Sequence, residues 1–136
     1  MILVDTSVWS IGLRRKPEGR SARENALVQR LEDTIQTGLV TMIGPIRQEL
    51  LSGIRTEAQF NKIATALQSF PDEQLVTEDY ETTARLANVC KSKSVASSSV
   101  DLIICATAFR RKWSIFTTDQ DFVSYAKVLG VDLFKE

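Results

Sequence analysis

Several acidic residues occupy positions that packing alone does not explain. Asp5 closes the apolar run Met1-Ile2-Leu3-Val4, and Asp119 follows Ser114-Ile115-Phe116-Thr117 at the matching place. In open α/β sheets, sites form beyond the carboxyl ends of strands. Asp101 opens the segment Leu102-Ile103-Ile104-Cys105-Ala106-Thr107-Ala108. That segment is apolar nearly all round, so it reads as a central helix whose first turn can face a crevice. Glu49 lies three residues after Ile46 on the same helical face and can point partly inward. Each acid taken singly has a plainer explanation. Asp101 could complete a capping box with Ser98, and Asp121 one with Thr118. Glu49 could be an exposed helix residue and Asp5 a turn former. Two acids ending strands and a third opening a buried helix weaken those explanations when taken together.

If these groups converge, they cannot all stay ionised without a counter-charge. Two carboxylates about 5 Å apart at an effective dielectric near 20 repel by roughly 3 kcal/mol. Either some protonate or a cation sits among them. Oxygen-only ligands select hard ions such as Mg²⁺ or Mn²⁺. Such a site suits phosphodiester hydrolysis, because the metal activates a water and offsets charge building on the phosphate.

Composition narrows the alternatives. The chain of 136 residues contains no histidine. Ser-His and Cys-His catalysis and His-ligated zinc are therefore excluded. Basic and acidic residues balance at 17 each, so a polyanion site would have to be local. Cys90 and Cys105 sit in apolar helical patterns and read as small buried hydrophobes in a reducing, cytoplasmic setting. No window reaches the roughly 18 apolar residues of a membrane span, and the N-terminus lacks a signal-peptide pattern. The length suits one domain, residues 1–136.

The elements that must position the acids follow from periodicity and punctuation. Strands are expected at the first four residues, at Leu39–Ile43, at Leu75–Val76, at Ser114–Thr117 and at Val131–Phe134. Helices are expected over Val8–Leu13 with Thr6 or Ser7 as cap, about Ser21–Gln36, and from Gly44-Pro45 to Ser52-Gly53. Others span about Glu57–Leu67, Glu78–Lys93 with Thr77 as cap, Val100–Arg111 and Asp121–Lys127. Arg14–Arg23, with Pro17 and Gly19 inside it, reads as a loop. The alternation argues for an α/β fold with a mainly parallel sheet.

On these residues the chain resembles the PIN-domain family, and within it the VapC-type toxins. Ile2-Leu3-Val4-Asp5-Thr6-Ser7-Val8-Trp9 is similar to the family's opening motif and Glu49-Leu50-Leu51-Ser52-Gly53 to its second. Val100–Ala108 matches the third, and Phe116-Thr117-Thr118-Asp119-Gln120-Asp121-Phe122 the fourth. The resemblance implies a three-layer α/β/α sandwich around a mainly parallel sheet. It implies Asp5, Glu49, Asp101 and Asp119 as a catalytic metal cluster for Mg²⁺ or Mn²⁺, with Asp121, Thr6 and Thr117 as accessory groups. It implies a homodimeric endoribonuclease acting on RNA and held inactive by a VapB-type antitoxin. One departure is visible: many relatives carry glycine where Lys93-Ser94-Val95 stands, which bears on the local turn.

Other features divide between two uses. Arg14, Arg15 and Lys16 could hold RNA phosphates or simply form a solvated loop. Arg110-Arg111-Lys112 reads as a complement to a helix C-terminus. The faces Leu27-Leu31-Ile35 and Ile63-Ala64-Leu67 suit core or an antitoxin groove. Three rival functions stand beside the toxin reading. An aspartyl phosphotransferase of the haloacid-dehalogenase type needs a second aspartate where Ser7 stands. A non-catalytic PIN-like binding module would not need all four acids. A housekeeping RNA-processing nuclease would differ only in lacking an antitoxin.

Overall fold

The computed structural model describes residues 1–135, so the expected domain extends one residue beyond them. Five short strands, β1 (Ile2–Val4), β2 (Val40–Ile43), β3 (Asp72–Glu73), β4 (Ser114–Phe116) and β5 (Asp132–Leu133), form one sheet in the order β3-β2-β1-β4-β5. Every pairing is parallel. The chain builds outward from β1 on one side and then crosses to build outward on the other. The order therefore reverses between β1 and β4, and the crevice beyond their carboxyl ends is where α/β sheets place ligands. Register makes this specific. Val4 pairs with Phe116, and the amide of Asp5 donates to the Phe116 carbonyl at 2.8 Å, which sets Asp5 beside Thr117.

Helices α1 (Thr6–Leu13), α2 (Ala22–Gln36), α3 (Gly44–Leu51), α4 (Glu57–Ala66), α5 (Thr77–Ser92), α6 (Ser99–Arg111) and α7 (Asp121–Leu129) flank the sheet. Leu3, Val4, Met42, Ile43 and Ile115 are fully buried, as continuous apolar runs in a covered parallel sheet should be. Ile104, Cys105, Ala106 and Ala108 of α6 are buried with them, so this helix is central. The free cysteines Cys90 and Cys105 are both buried, and burial pushes their thiols up.

Some local expectations need correction. The cap of α1 is Asp5 rather than Thr6 or Ser7, since its side chain accepts from the Ser7 amide. The third strand is Asp72–Glu73, and Leu75–Val76 lies outside it. This strand is exposed and shows no apolar pattern. Arg47 tethers it instead, donating to Asp72 Oδ1 at 2.9 Å, to the Leu67 carbonyl at 3.2 Å and to the Phe70 carbonyl. Thr77 is helical, not a cap; the Asp79 carboxylate closes the N-terminus of α5 by accepting from the Val76 amide at 2.9 Å. Asp121 completes no box with Thr118. Its amide donates to Asp119 Oδ1 at 2.9 Å. Arg14–Arg23 holds a 3-10 turn at Pro17–Gly19 before Ser21 and Glu24 form a capping box. Ser94 has φ 57°, the left-handed region that glycine enters at least cost, at the departure from the family pattern.

Candidate functional site

Asp5 leaves the central strand and is only 4% exposed. Its Oδ2 accepts from Ser7 Oγ at 2.8 Å, Thr117 Oγ1 at 2.9 Å and the Ser7 amide at 3.4 Å. Each hydroxyl is oriented from behind. The Thr118 amide donates to Ser7 Oγ and the Asp119 amide to Thr117 Oγ1, both at 3.0 Å. A hydroxyl has one proton to give. Both protons point at Asp5, so the two hydroxyls, 3.3 Å apart, meet as oxygens without a proton between them. The carboxylate is locked in one orientation by the two chain segments that the β1–β4 register brings together.

Asp101 stands in the first turn of α6, half-buried, with its amide capped by Ser98 Oγ at 3.2 Å. Its Oδ2 accepts from Tyr125 Oη at 3.0 Å, reaching over from α7. Carboxylate oxygens of Asp101, Asp119 and Asp121 lie within 4.8 Å of one another. Burial raises the Asp5 and Asp101 carboxyls above the usual range, and for Asp101 the charges of Asp5 and Asp119 push in the same direction. Among the described residues, no ion pair involves Asp5, Asp101, Asp119 or Asp121. The acids thus form a concentration of negative charge with no ion-paired side-chain cation among the described residues.

The anticipated residues do not all fall together. Asp5, Asp101 and Asp119 share the crevice at the β1–β4 reversal, and Asp121, anticipated as an accessory, has a carboxylate in the same group as Asp101 and Asp119. Glu49 is exposed on α3, next to buried Leu50, and lies outside that group. Thr117 bonds Asp5 as described, whereas Thr6 Oγ1 is buried with no hydrogen-bond partner among the described residues. Arg14, Arg15 and Lys16 follow α1, whose eight residues carry the chain about 12 Å from Asp5. Arg15 pairs with Glu24. All three basic residues line a cavity of about 500 Å³ with Arg20 and Lys62, away from the acids.

Ser7 and Tyr125 were not anticipated as site residues. Ser7 carried a signal, a hydroxyl two positions after an acid at a strand end. Tyr125 carried a weaker one. With Phe122 and Leu129 it forms the buried face of α7, and a tyrosine on such a face implies a partner for its hydroxyl.

An all-oxygen donor set, placed at the switch point of a parallel sheet, has the ligand chemistry that suits a hard divalent cation. The PIN domain family model matches residues 2–128. The chain therefore belongs to the PIN domain family. No curated protein matches the sequence. Among solved structures, the chain is similar to one in FitAcB from Neisseria gonorrhoeae, with 23% identity, TM-score 0.75 and coverage of 99% of this chain and 97% of that one. A second is in VapBC2 from Rickettsia felis bound to a DNA fragment from their promoter, with 15% identity, TM-score 0.72 and 98% of each chain covered. A third is in VapBC-5 from Mycobacterium tuberculosis, a member of the VapBC family of toxin-antitoxin systems, with 18% identity, TM-score 0.69 and coverage of 98% and 97%. At these identities the likeness establishes the fold.

Proposed function

We propose that this protein is a metal-dependent endoribonuclease, a VapC-like toxin that hydrolyses RNA phosphodiester bonds and is neutralised by a VapB-like antitoxin. The observation that carries the reading is the un-neutralised acid group of Asp5, Asp101, Asp119 and Asp121 at the β1–β4 reversal of a PIN fold. Asp5, Asp101 and Asp119 would hold Mg²⁺ or Mn²⁺, with Asp121 beside Asp101 and Asp119; Glu49, the fourth acid that the family resemblance implies, is exposed on α3 outside that group in the metal-free chain. When bound, the ion supplies an activated water and charge stabilisation on the phosphate.

The chain's own side chains do the positioning. Ser7 and Thr117 fix the Asp5 carboxylate, Tyr125 fixes that of Asp101, and neither acid needs to find its rotamer when substrate arrives. Burial and Asp101 hold the Tyr125 phenol protonated far above neutrality, so it donates throughout. Arg14, Arg15 and Lys16 steer the RNA backbone from a distance. No helix among the described residues is long and apolar enough to cross a membrane. The working form in this reading is a cytoplasmic homodimer.

The test is purified protein incubated with RNA, with and without Mg²⁺ or Mn²⁺. Cleavage is expected to require the ion, to stop with EDTA, and to be lost in Asp5→Asn and Asp101→Asn variants that keep their circular dichroism. Cleavage by the variants at the wild-type rate would sink the proposal. The antitoxin part is tested separately. Expression of the chain alone should arrest growth, and co-expression with the product of a small adjacent reading frame should relieve it.

A further inference from the structure

We infer that the cavity between α2 and the Thr117–Gln120 loop is a nucleobase subsite, seating one base of the RNA beside the bond to be cut. The inference rests on the nuclease reading. The cavity has a volume of about 510 Å³, within the range of small-molecule sites. One wall is the loop that carries Asp119, so whatever enters is adjacent to the acid group.

The lining has the mixture a base and its phosphate need. Leu27 from α2 and Val123 from α7 supply apolar surface. Arg30 lies with its guanidinium carbon 4.7 Å from the ring centroid of Phe134 and 5.4 Å from that of Phe116. A flat cation layered on aromatic rings is a platform of the kind on which bases stack. Gln120 is exposed at the rim, where its amide offers both a donor and an acceptor to a base edge. Arg23, also at the rim, forms no ion pair among the described residues and is available to a phosphate. A groove for an amphipathic protein helix would be mainly apolar. The lining sets Arg23 and Arg30 against Glu24 and Asp119, so it is the flat Arg30–Phe134 stack and the Gln120 amide, rather than net charge, that favour a planar ring with polar edges.

The test is fluorescence anisotropy in EDTA buffer, where cleavage is absent. The probes are four homopolymeric octaribonucleotides and an abasic ribose-phosphate octamer. Wild-type protein should bind at least one homopolymer about tenfold more tightly than the abasic chain, as base stacking allows. Leu27→Trp and Val123→Trp, which fill the cavity from opposite sides, should cut that preference to under about threefold. Affinity for the abasic chain should not move. Val123 is 41% exposed, so its variant keeps the test open if Leu27→Trp fails to fold. Equal binding of abasic and homopolymeric RNA by wild type overturns the inference, as does full preference in a folded variant; the cavity would then belong to a protein segment. Cleavage in Mn²⁺ is scored separately. Base preference without cleavage supports the subsite and overturns the nuclease reading, whereas cleavage without base preference overturns the subsite alone.

Discussion

Asp5 and Asp79 are the same side chain at nearly the same depth, 4% and 1% exposed, yet the molecule treats them oppositely. Asp79 opens α5 and receives Arg110 Nη1 at 2.5 Å and Arg111 through two nitrogens at 2.7 and 3.0 Å. The Arg111 guanidinium, foremost among these, holds its carboxyl well below the usual carboxylate range. Asp5 has hydroxyls and one amide for company, and burial holds its carboxyl above that range. The first is a finished ion pair that pins α5 to α6. The second has no ion-pair partner among the described residues, and Asp101, itself grouped with Asp119 and Asp121, adds to the negative charge around it. Burial with a partner marks a structural joint; burial without one marks a place meant for something from outside.

Substitution should separate the two regions. Asp101→Asn is expected to reduce RNA cleavage by more than about 100-fold, beyond the ~10–100-fold typical of groups that only orient metal ligands. Unfolding by urea should change little. An activity close to wild type in that variant would leave the acid group without a catalytic role. Asp79→Asn should do the reverse. Removing the charge between two partly exposed arginines costs about 2–3 kcal/mol in urea unfolding, while cleavage per folded molecule stays at wild-type level.

The Asp79 effect has a pH signature. Its folded pKa lies below the unfolded value of 3.8, so the stabilisation is complete above that value and drains away as pH falls through it. The stability gap between wild type and Asp79→Asn should be constant from about pH 7 to 5 and shrink below pH 4. A gap that grows on acidification would refute the assignment.

Asp5→Asn sharpens the contrast from the other side. Neutralising a buried, uncompensated charge should stabilise the metal-free protein by roughly 0.5–2 kcal/mol, the usual gain when a strained functional group is relieved. Millimolar Mn²⁺ should raise the melting temperature of wild type and leave that of Asp5→Asn nearly unmoved, since only a state that binds the ion gains from it. Destabilisation of the metal-free variant would put Asp5 in the same category as Asp79.

The same contrast explains what could be read in advance. Asp5 and Asp119 were legible because a strand buried on both faces stops abruptly at a polar residue, a signal contained in five consecutive positions. Asp101 was legible because its helix is apolar all round. The Asp79 pair was not, because its partners lie 31 and 32 residues away and nothing local announces them. Arg110 and Arg111, read as complements to a helix end, do stand in the last turn of α6, and beyond that they cross to Asp79. The edge strand Asp72–Glu73 escaped for a similar reason, being held by Arg47 from 25 residues back rather than by apolar side chains. Tyr125 needed the fold to bring α7 beside the first turn of α6 before its hydroxyl, which donates to Asp101, had a visible purpose.

That hydroxyl gives the smallest of the expected effects. Tyr125 Oη donates to Asp101 Oδ2 at 3.0 Å, and the ring packs edge-on against Phe122 with centroids 5.2 Å apart. Tyr125→Phe keeps the ring contact and removes one hydrogen bond to a carboxylate. Orienting partners of this kind are worth about tenfold at the low end when lost. Cleavage should therefore fall about tenfold and the Mn²⁺ concentration for half activity should rise, while the melting temperature of metal-free protein shifts by no more than a few degrees. A purely structural tyrosine would give the opposite split, with lower stability and an unchanged Mn²⁺ requirement. The outcome decides whether Asp101 is placed by its own helix alone or needs α7 to hold it.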